Sequence, residues 1–541
     1  MKIRRLVVNN FRGIKKLEWT PKDDSLICLI GHGDSTKSSI LASIEYALFP
    51  HWNLKLTDAD FYECKPAQNS IYIELIIGDI TNTEFIHDPL FSTSGRYWDS
   101  GNKCLVNSNE AEGKELVLQI IFRADKTLEP TWFISNESGV EEIIKQGKRA
   151  LFNMTRFDDK SERNFKWGYN TMLSRITEKN GQKEIKSVLA EAGRNARDNF
   201  DENKLDVDFH ESSKIVSEEA KIWGAGHKSI KPFLDVFSAE ALCLNDENNI
   251  PIHMMGAGSK KLILIAMAKY LFSNDDIPEG HILLMDELEN GLEPHRLIHV
   301  IFSLNDIAKQ FGSQIIISSH SPIVLKEIAG NGTYRVINVN NEIQIVKLDP
   351  ESNGAIRTNP EGFFLKKIVI CEGKTEIGLL RAIKKKWIQD HAMAPEHLGA
   401  YFILGEGSKV SKYIDVFTRF NYEICVYRDN DVQQPLLAGI PDFKYQGTIN
   451  TEQAICNEAP NDLISNIISF CEENGKTNVP KQETFDNNYR EELADFLHQE
   501  DVFRRIDRGE ILGELIFPYL EQMRDSDFVK TIGDIEQWIY S

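Results

Sequence analysis

The chain has 541 residues, which exceeds the size of one hydrophobic core, so we expect two or three domains. Its 41% hydrophobic and 27% charged residues are typical of a globular protein, and its net charge of −20 argues against a surface coated for unspecific nucleic-acid binding. The eight cysteines form no Cys-x-x-Cys pair, which offers no zinc site and favours reduced thiols. Without a signal-peptide pattern or an apolar run of membrane length, we predict a cytoplasmic protein with no membrane partner.

The first informative stretch is a glycine-containing loop at residues 31–38, GHGDSTKS. An apolar run at 26–30 predicts a buried strand before it, and a helical pattern follows at 39–49. This is the context of a P-loop, in which backbone N–H groups bind phosphates, Lys37 reaches the β- and γ-phosphates and Ser38 binds Mg²⁺. The candidate nucleotide-binding residues are Gly31, Gly33, Asp34, Ser35, Thr36, Lys37, Ser38 and Ser39.

One position departs from the P-loop pattern. Thr36 stands where the motif expects glycine, and a β-branched residue there allows fewer backbone conformations and crowds the phosphates. Further along, residues 71–77 and 116–123 predict strands. Residues 150–225 are charge-rich with helical spacing, which predicts a helical insertion.

Three further motifs follow the predicted insertion. Gly256, Gly258 and Ser259 precede an apolar helix and are an anion-binding candidate, although glycines before helices are common. Residues 282–285 predict a strand buried on both faces that ends in Asp286 and Glu287, where one acid can hold Mg²⁺ and the other can polarise a water. The alternative is a solvated turn.

The third motif is a buried strand from residue 314 that leads to His320, a natural position for a group that senses a γ-phosphate. A lone histidine is more often structural. Its place at a strand end, like that of Asp286, favours the functional interpretation.

These motifs stand in a recognisable order: NFRG at 10–13, the GHGDSTKS loop, the Gly-Ala-Gly-Ser turn, LLMDE and SSHSP. The order resembles ABC-type ATPases of the SMC-like group, in which ATP lies between the P-loop of one subunit and the signature turn of another. The resemblance implies Asp286 as Mg²⁺ ligand, Glu287 as the water-orienting carboxylate and His320 as the switch histidine. Asp60 is a weaker match to a metal-sensing loop, and Lys260 stands where glutamine is common.

A second α/β pattern begins near residue 365. Strands are predicted at 366–371, 401–405 and 422–427, with a helix at 377–387, which indicates a small parallel-sheet domain. The segment from about 457 is acidic and predicted to be helical, and no chemistry is assigned to it.

Acidic residues follow two of these predicted strands. Asp429 and Asp431 are two residues apart, so both side chains point the same way in an extended backbone, and Glu372 and Glu376 are one helical turn apart. Four converging carboxylates repel one another unless a divalent cation neutralises them, and oxygen ligands favour Mg²⁺ or Mn²⁺. Two such ions activate a water and stabilise the leaving oxygen of a phosphodiester. Two solvated turns are the alternative.

EGKTE followed by a later Asp-x-Asp resembles the TOPRIM fold. An SMC-like ATPase fused to it resembles the OLD (overcoming lysogenization defect) nucleases of the antiphage-defence type, including those associated with Gabija or retrons. The resemblance implies an ATP-regulated, metal-dependent DNA endonuclease whose heads and helical insertion form a homodimer or higher homo-oligomer. It also implies a possible defence partner, such as a helicase-like protein or retron nucleic acid. Glu452 is a further candidate ligand, and Arg508, with Lys481 behind it, is the candidate late basic residue.

The predicted fold is therefore α/β, with an ABC-type ATPase head, a helical dimerisation insertion and a TOPRIM domain with a helical tail. The predicted boundaries are 1–150 and 229–362 for the two parts of the head, 151–228 for the insertion and 363–541 for the TOPRIM domain. Two alternatives remain open: a nucleotide-gated protein that binds DNA and partners without catalysis, and, less favoured, a topoisomerase or primase.

Overall fold

The structure is a computed structural model. It describes the chain except residues 51–53, 81–86, 150, 153, 158–161, 163, 167–170, 174–190, 193, 196–243, 245–250, 273–279, 431–438 and 483. Asp431 and most of the predicted insertion therefore lie outside the described residues.

The N-terminal unit is built on one mixed sheet, for which fourteen strands are described. They are β1 Lys2–Phe11, β2 Ile14–Trp19, β3 Leu26–Ile30, β4 Ile71–Gly78, β5 Arg96–Asp99, β6 Cys104–Val106, β7 Glu115–Ala124, β8 Thr131–Ser135, β9 Glu141–Ile143, β10 Met154–Phe157, β11 Ile282–Met285, β12 Gln314–Ser318, β13 Thr333–Val339 and β14 Glu342–Lys347. The order is β10-β11-β12-β3-β13-β14-β2-β1-β4-β7-β5-β6, with β8 on β7 and β9 on β8.

The sheet has a parallel half and an antiparallel half. Neighbours from β10 through β11, β12 and β3 to β13 are all parallel, whereas β2, β1, β4 and β7 form an antiparallel run. All four residues of β11 are buried, as expected for a parallel strand covered on both faces. The P-loop strand β3 and β11 flank β12, so their carboxyl ends meet at one edge.

Helices pack against the sheet of the N-terminal unit. Those described are α1 Lys37–Ala47, α2 Pro89–Thr93, α3 Gln146–Arg149, α4 Ala257–Phe272, α5 Pro294–Gln310, α6 Pro322–Ile328 and α7 Asn353–Thr358. Helix α6 begins where the Ser321 side chain accepts a hydrogen bond from Ile323 N and Pro322 takes the first helical position. Helix α6 therefore starts two residues after His320.

The predicted start of the insertion at residue 151 differs from the structure. Residues Met154–Phe157 form β10, which pairs in parallel with Ile282–Met285 and so belongs to the head. Only Phe157 of this strand is buried, so its sequence lacks the continuous apolar pattern that marks β11. The pairing places Arg156 beside the carboxyl end of β11, where it hydrogen-bonds to Asp286.

The C-terminal unit has a four-stranded parallel sheet in the order β16-β15-β17-β18. Its strands are β15 Lys367–Cys371, β16 Ala400–Leu404, β17 Glu423–Arg428 and β18 Asp442–Lys444. Its described helices are α8 Lys374–His391, α9 Val410–Arg419, α10 Thr451–Cys456, α11 Asn461–Glu473, α12 Asn487–Gln499, α13 Ile506–Ile516 and α14 Asp527–Tyr540. Helices α8 and α13 approach closely because Gly378 and Gly509 face each other, and the predicted parallel sheet with a helical tail is confirmed.

Short 3₁₀ turns connect many of these elements. They are Asp58–Asp60, Tyr62–Cys64, Ser108–Glu110, Ile252–Met254, Ala329–Asn331, Pro350–Ser352, Pro360–Phe364, Pro395–Leu398, Gly407–Lys409 and Phe517–Tyr519.

The two units share a continuous core. Apolar side chains of α5 and α6 belong to the same buried cluster as Phe363, Ile368 and Phe417. Arg335 of β13 is buried between the units, with its guanidinium 3.4 Å from the centre of the Tyr422 ring and its Nη2 donating to Leu365 O at 3.3 Å. Because β13 lies next to β3, this arginine connects the P-loop strand to the C-terminal sheet.

Two sequence expectations concern the whole chain. In the part of the chain that the structure describes, no helix combines the length and apolar composition needed to cross a membrane. The seven described cysteines are free thiols, and five of them are buried: Cys28, Cys371, Cys425, Cys456 and Cys471.

Candidate functional site

The first candidate site is the loop between β3 and α1. Lys37 is buried, and its Nζ donates to Gly31 O and His32 O at 3.1 Å and to Ser35 Oγ at 2.9 Å. Burial lowers the pKa of Lys37 to about 8, against the opposing effect of nearby acids such as Asp286. The amine of Lys37 is therefore hydrogen-bonded to its own loop, at the helix start where an anion would bind.

The backbone at Thr36 adopts the left-handed conformation, with φ of 66° and ψ of 17°. Glycine adopts this conformation freely, whereas a β-branched side chain is strained in it. The structure thus gives a physical basis to the departure seen in the sequence: threonine is held in the backbone geometry that a P-loop requires at this position.

Asp286, at the end of β11, is already hydrogen-bonded on both oxygens. Ser38 Oγ donates to Oδ1 at 3.0 Å, and Ser318 Oγ donates to the same oxygen at 2.5 Å. Arg156 Nη2 donates to Oδ2 at 3.2 Å and its Nη1 donates to Glu45 at 2.7 Å. The pair Ser38 and Asp286, predicted as Mg²⁺ ligands, therefore lies together, with a guanidinium supporting the acid.

Glu287 and His320 face the same loop. With Ser318, Gly13 and residues 34–39, they line a cavity of about 420 Å³. His320 N donates to Glu289 Oε1 at 2.6 Å, while burial and then the charge of Lys37 lower the pKa of the His320 ring. The strand-end motifs predicted from sequence thus meet at one cavity.

The signature turn lies elsewhere on the head. Gly256 precedes α4, and Gly258 and Ser259 are in its first turn, but none of the three lines the cavity of the P-loop. Lys261 of α4 donates to Glu287 O at 2.8 Å and Leu288 O at 3.1 Å. The first turns of α4 therefore contact the loop of Glu287, and Ala257, Lys260 and Lys261 line a second cavity of about 310 Å³ together with Asp286 and Glu287.

Asp60 is held by an arginine. Arg12 Nε and Nη2 donate to its Oδ1 at 3.1 and 3.0 Å, and Tyr46 OH donates to the same oxygen at 3.2 Å. Thr57 N donates to Oδ2 at 3.0 Å. Asp60 thus fixes the Arg12 segment that leads to Gly13, and it does not line the cavity of the P-loop.

The second candidate site is a cavity of about 540 Å³ in the C-terminal unit. Strands β15 and β17 are adjacent, with Cys371 opposite Tyr427, so the acids that follow them leave the sheet side by side. Its lining includes four of the predicted acidic ligands: Glu372, Glu376, Asp429 and Glu452. The fifth, Asp431, lies outside the described residues.

Glu376 is the most buried of these acids. Burial, with a smaller contribution from the charges of Glu452 and Glu372, raises the pKa of Glu376 to about 7, and a hydrogen bond from Thr451 acts in the opposite direction. Thr451 Oγ1 lies 2.8 Å from Glu376 Oε1 and 2.5 Å from Asp429 Oδ1. A neutral hydroxyl is therefore in hydrogen-bonding contact with two of the acids.

Basic groups reach the same cavity from three elements. Lys374 begins α8, His498 is in α12, and Arg504 follows α12 with its Nη1 2.7 Å from Asp501 Oδ1. His498 Nδ1 lies 3.4 Å from Glu452 Oε2, and this contact raises the pKa of His498. The helical tail thus contributes His498 and Arg504 to the cavity.

The predicted late basic residues lie elsewhere. Arg508 Nη1 donates to Val502 O at 3.2 Å, and Lys481 pairs at 3.3 Å with Glu472. Neither lines the cavity, whereas Arg504, four residues before Arg508, does. The local sequence gave no signal that separates these two arginines.

The acids suit a hard divalent cation by their chemistry. They are oxygen donors that converge in one cavity, and the buried Glu376 carries the electrostatic cost that a cation would relieve. Within the described ranges, no group of three or more His, Cys, Asp or Glu side chains has the geometry of a formed metal site. The donor types and their burial fit a divalent cation, and the ligand set predicted from sequence includes Asp431.

Two models of known protein families match this chain. The family model for an AAA ATPase domain matches residues 1–232 and 150–325, which together span more than half of the chain. The model for the overcoming lysogenization defect protein-like TOPRIM domain matches residues 363–431. The protein is thus a P-loop ATPase joined to a TOPRIM domain. The chain belongs to the AAA ATPase domain family, and its TOPRIM domain is of the OLD-like type.

Solved structures similar to the chain include heads of SMC proteins. The SMC head bound to the C-winged helix domain of ScpA has 14% identity, covers 66% of this chain and 100% of that chain, and gives a TM-score of 0.38. The SMC head domain from Thermotoga maritima has 12% identity, covers 64% and 100%, and gives a TM-score of 0.30. The comparison with curated proteins gives no match.

Proposed function

We propose that the protein is an ATP-regulated, divalent-metal-dependent DNA endonuclease of the OLD type that acts in prokaryotic antiphage defence. The observation that supports this most directly is the convergence of Glu372, Glu376, Asp429 and Glu452 on one cavity. These acids, with Asp431, would hold Mg²⁺ or Mn²⁺. When bound, the cations supply an activated water and stabilise the leaving oxygen of a phosphodiester.

The chain's own residues have separate tasks in this proposal. Glu372 and Asp429 would hold the cations at the carboxyl ends of β15 and β17, and Glu376 and Glu452 would reach them from α8 and α10. Lys374 and Arg504, which line the same cavity, provide positive charge for the DNA phosphates. Since the net charge of the chain is −20, these basic side chains matter more for DNA binding than any overall electrostatic attraction.

In the head, we assign ATP to the cavity of the P-loop. Lys37 would bind the phosphates, Ser38 and Asp286 the Mg²⁺, Glu287 would orient the attacking water, and His320 would contact the γ-phosphate. The signature turn of a second copy would close this cavity, because Gly256, Gly258 and Ser259 do not line that of their own chain. A homodimer or higher oligomer follows, in which ATP sets the access of DNA to the acids.

The assignment is tested by cutting plasmid DNA with the full-length protein and Mg²⁺ or Mn²⁺. Asp429→Ala combined with Asp431→Ala should remove cutting, while Asp415→Ala, at an exposed position of α9, serves as the matched control. Cutting that persists in the double variant would reject the nuclease assignment. The chain would then be a nucleotide-gated protein that binds DNA and a partner, such as a helicase-like protein or retron nucleic acid.

A further inference from the structure

Thr451 lies between two carboxylates that leave different elements. Glu376 is in α8 and Asp429 follows β17, yet the Oγ1 atom of Thr451 is 2.8 Å from one acid and 2.5 Å from the other. Thr451 itself is completely buried at the start of α10. A single hydroxyl therefore connects the two halves of the acidic cluster.

The backbone that carries this hydroxyl is fixed by a capping box. The Asn450 side chain accepts a hydrogen bond from Gln453 N at 2.8 Å, and Gln453 Oε1 accepts one from Asn450 N at 3.1 Å. Reciprocal capping of this kind satisfies the first N–H groups of a helix and sets its start. Thr451 is the first residue of α10, so its side chain leaves a well-defined point.

Buried tyrosine hydroxyls also contact Thr451. Tyr445 OH lies 3.4 Å from Thr451 Oγ1 and is also hydrogen-bonded to Tyr427 OH. Both rings are at most 1% exposed. Hydrogen-bonded chains of buried groups orient one another, so the hydroxyl of Thr451 has little freedom to turn away from Glu376 and Asp429.

The two acids need such a support because like charges in a buried place repel each other. A hydroxyl has one proton, which it can share between two carboxylate oxygens in a three-centre hydrogen bond without adding charge. An apolar group of the same shape offers neither carboxylate a partner. The side chains would then be free to separate or to turn towards other partners.

We propose that Thr451 is a positioning residue that holds Glu376 and Asp429 at a spacing in which both face one divalent cation. This inference rests on the proposed function, since it assumes that these acids bind the metal. Thr451 touches the ligands, not the DNA or the reacting atoms. Its effect is therefore expected first on metal affinity and only through that on cutting.

The experiment compares Thr451→Val, which keeps the shape and removes the hydroxyl, with Thr451→Ser, which keeps the hydroxyl. Thr531→Val, a buried threonine of α14 in the same unit, is the matched control. Mn²⁺ is titrated into each full-length protein without nucleotide, and free Mn²⁺ is measured by electron paramagnetic resonance. DNA cutting is then measured as a function of Mn²⁺ concentration.

Loss of a group that orients a metal ligand typically costs about 10- to 100-fold in affinity, so we expect about a tenfold loss for Thr451→Val. Thr451→Ser and Thr531→Val should bind Mn²⁺ as the wild type does. Cutting by Thr451→Val should be recovered at higher Mn²⁺, because a positioning defect is compensated by mass action. A structural defect alone would not show this recovery.

Equal Mn²⁺ affinity of Thr451→Val and wild type overturns the positioning role, and if the wild type still cuts DNA, the nuclease assignment stands. A wild type that neither binds Mn²⁺ nor cuts overturns both. If Thr451→Val does not fold, Tyr445→Phe is the second test, because it removes the hydroxyl that contacts Thr451. Weaker Mn²⁺ binding by Tyr445→Phe supports the proposal, and unchanged binding rejects it.

Discussion

The two acidic sites of this protein hold their carboxylates in different ways. Asp286 of the head has two serine hydroxyls on one oxygen and the guanidinium of Arg156 on the other. Glu376 of the C-terminal cavity has a threonine hydroxyl, and two neighbouring acids add to the burial that raises its pKa to about 7. The fold therefore stabilises the charged form of Asp286 and destabilises the charged form of Glu376.

This difference separates the two proposed uses of a metal. In the head, the acid is oriented before any cation arrives, and Mg²⁺ there normally comes with the phosphates of the nucleotide. In the C-terminal cavity, acids gathered from β15, β17 and α10 are costly until a cation neutralises them. We therefore expect divalent cations alone to change the C-terminal unit more than the head.

The largest effect is expected on ATP turnover. Glu287→Gln removes the carboxylate that we assign to water orientation and should slow hydrolysis by about 10²- to 10⁴-fold, the usual contribution of a positioned general base. Hydrolysis is measured by phosphate release, and DNA cutting is measured in the same samples with and without ATP. Glu293→Gln, an exposed glutamate before α5, is the control. Unchanged turnover would contradict the assignment of Glu287, and unchanged cutting would contradict the coupling of the two sites.

The same carboxylate-to-amide change should have opposite effects on stability at the two sites. At pH 8 in EDTA, Glu376→Gln removes a buried charge and should raise the free energy of unfolding by about 1–3 kcal/mol. Asp286→Asn removes the charge that pairs with the guanidinium of Arg156 and should lower the free energy of unfolding by about 1–2 kcal/mol. The melting temperature of each variant measures the sign. Shifts in the same direction would show that the two acids are held alike.

The sequence predicted the parts of both sites that lie at strand ends. Strands β3, β11, β12, β15 and β17 are short apolar runs, and parallel pairing brings the residues that follow them to one edge. Asp286, Glu372 and Asp429 could be found for this reason. The Asp431 and helical-insertion predictions fall outside the described residues and stay predictions.

The supporting side chains could not be predicted in the same way. Arg156 is 130 positions from Asp286, and Thr451 is 75 positions from Glu376, so no local pattern joins them. Strand β10, which carries Arg156, has one buried residue, and its apolar signal is weak. Thr451 had one usable signal, its place directly before Glu452 at a predicted helix start.

A smaller effect is expected at the junction between the units. Arg335→Met removes a buried guanidinium that stacks on Tyr422 and donates to Leu365 O and Phe420 O, and the loss of this donor at the two carbonyls should cost about 1–3 kcal/mol. If the head acts on the cavity through this contact, the variant should hydrolyse ATP normally but lose the effect of ATP on cutting. Arg357→Met, an exposed arginine of α7, is the control. A variant with unchanged melting and unchanged ATP effect would place the coupling elsewhere.

The smallest effect is expected at Thr36. Its backbone is strained, although Asp286 in the same site is well supported by hydrogen bonds. A left-handed residue with a side chain costs about 1–2 kcal/mol, and glycine avoids this cost but loses about 0.5–1 kcal/mol through the freedom of the unfolded chain. Thr36→Gly should therefore raise the free energy of unfolding by about 0.5–1 kcal/mol, seen as a higher melting temperature. Thr36→Ala, which keeps the Cβ atom, should give no such gain. Equal melting temperatures of the two variants would show that the conformation of Thr36 carries no strain. If both variants then bound ATP more tightly than the wild type, the threonine side chain would act by crowding the phosphates.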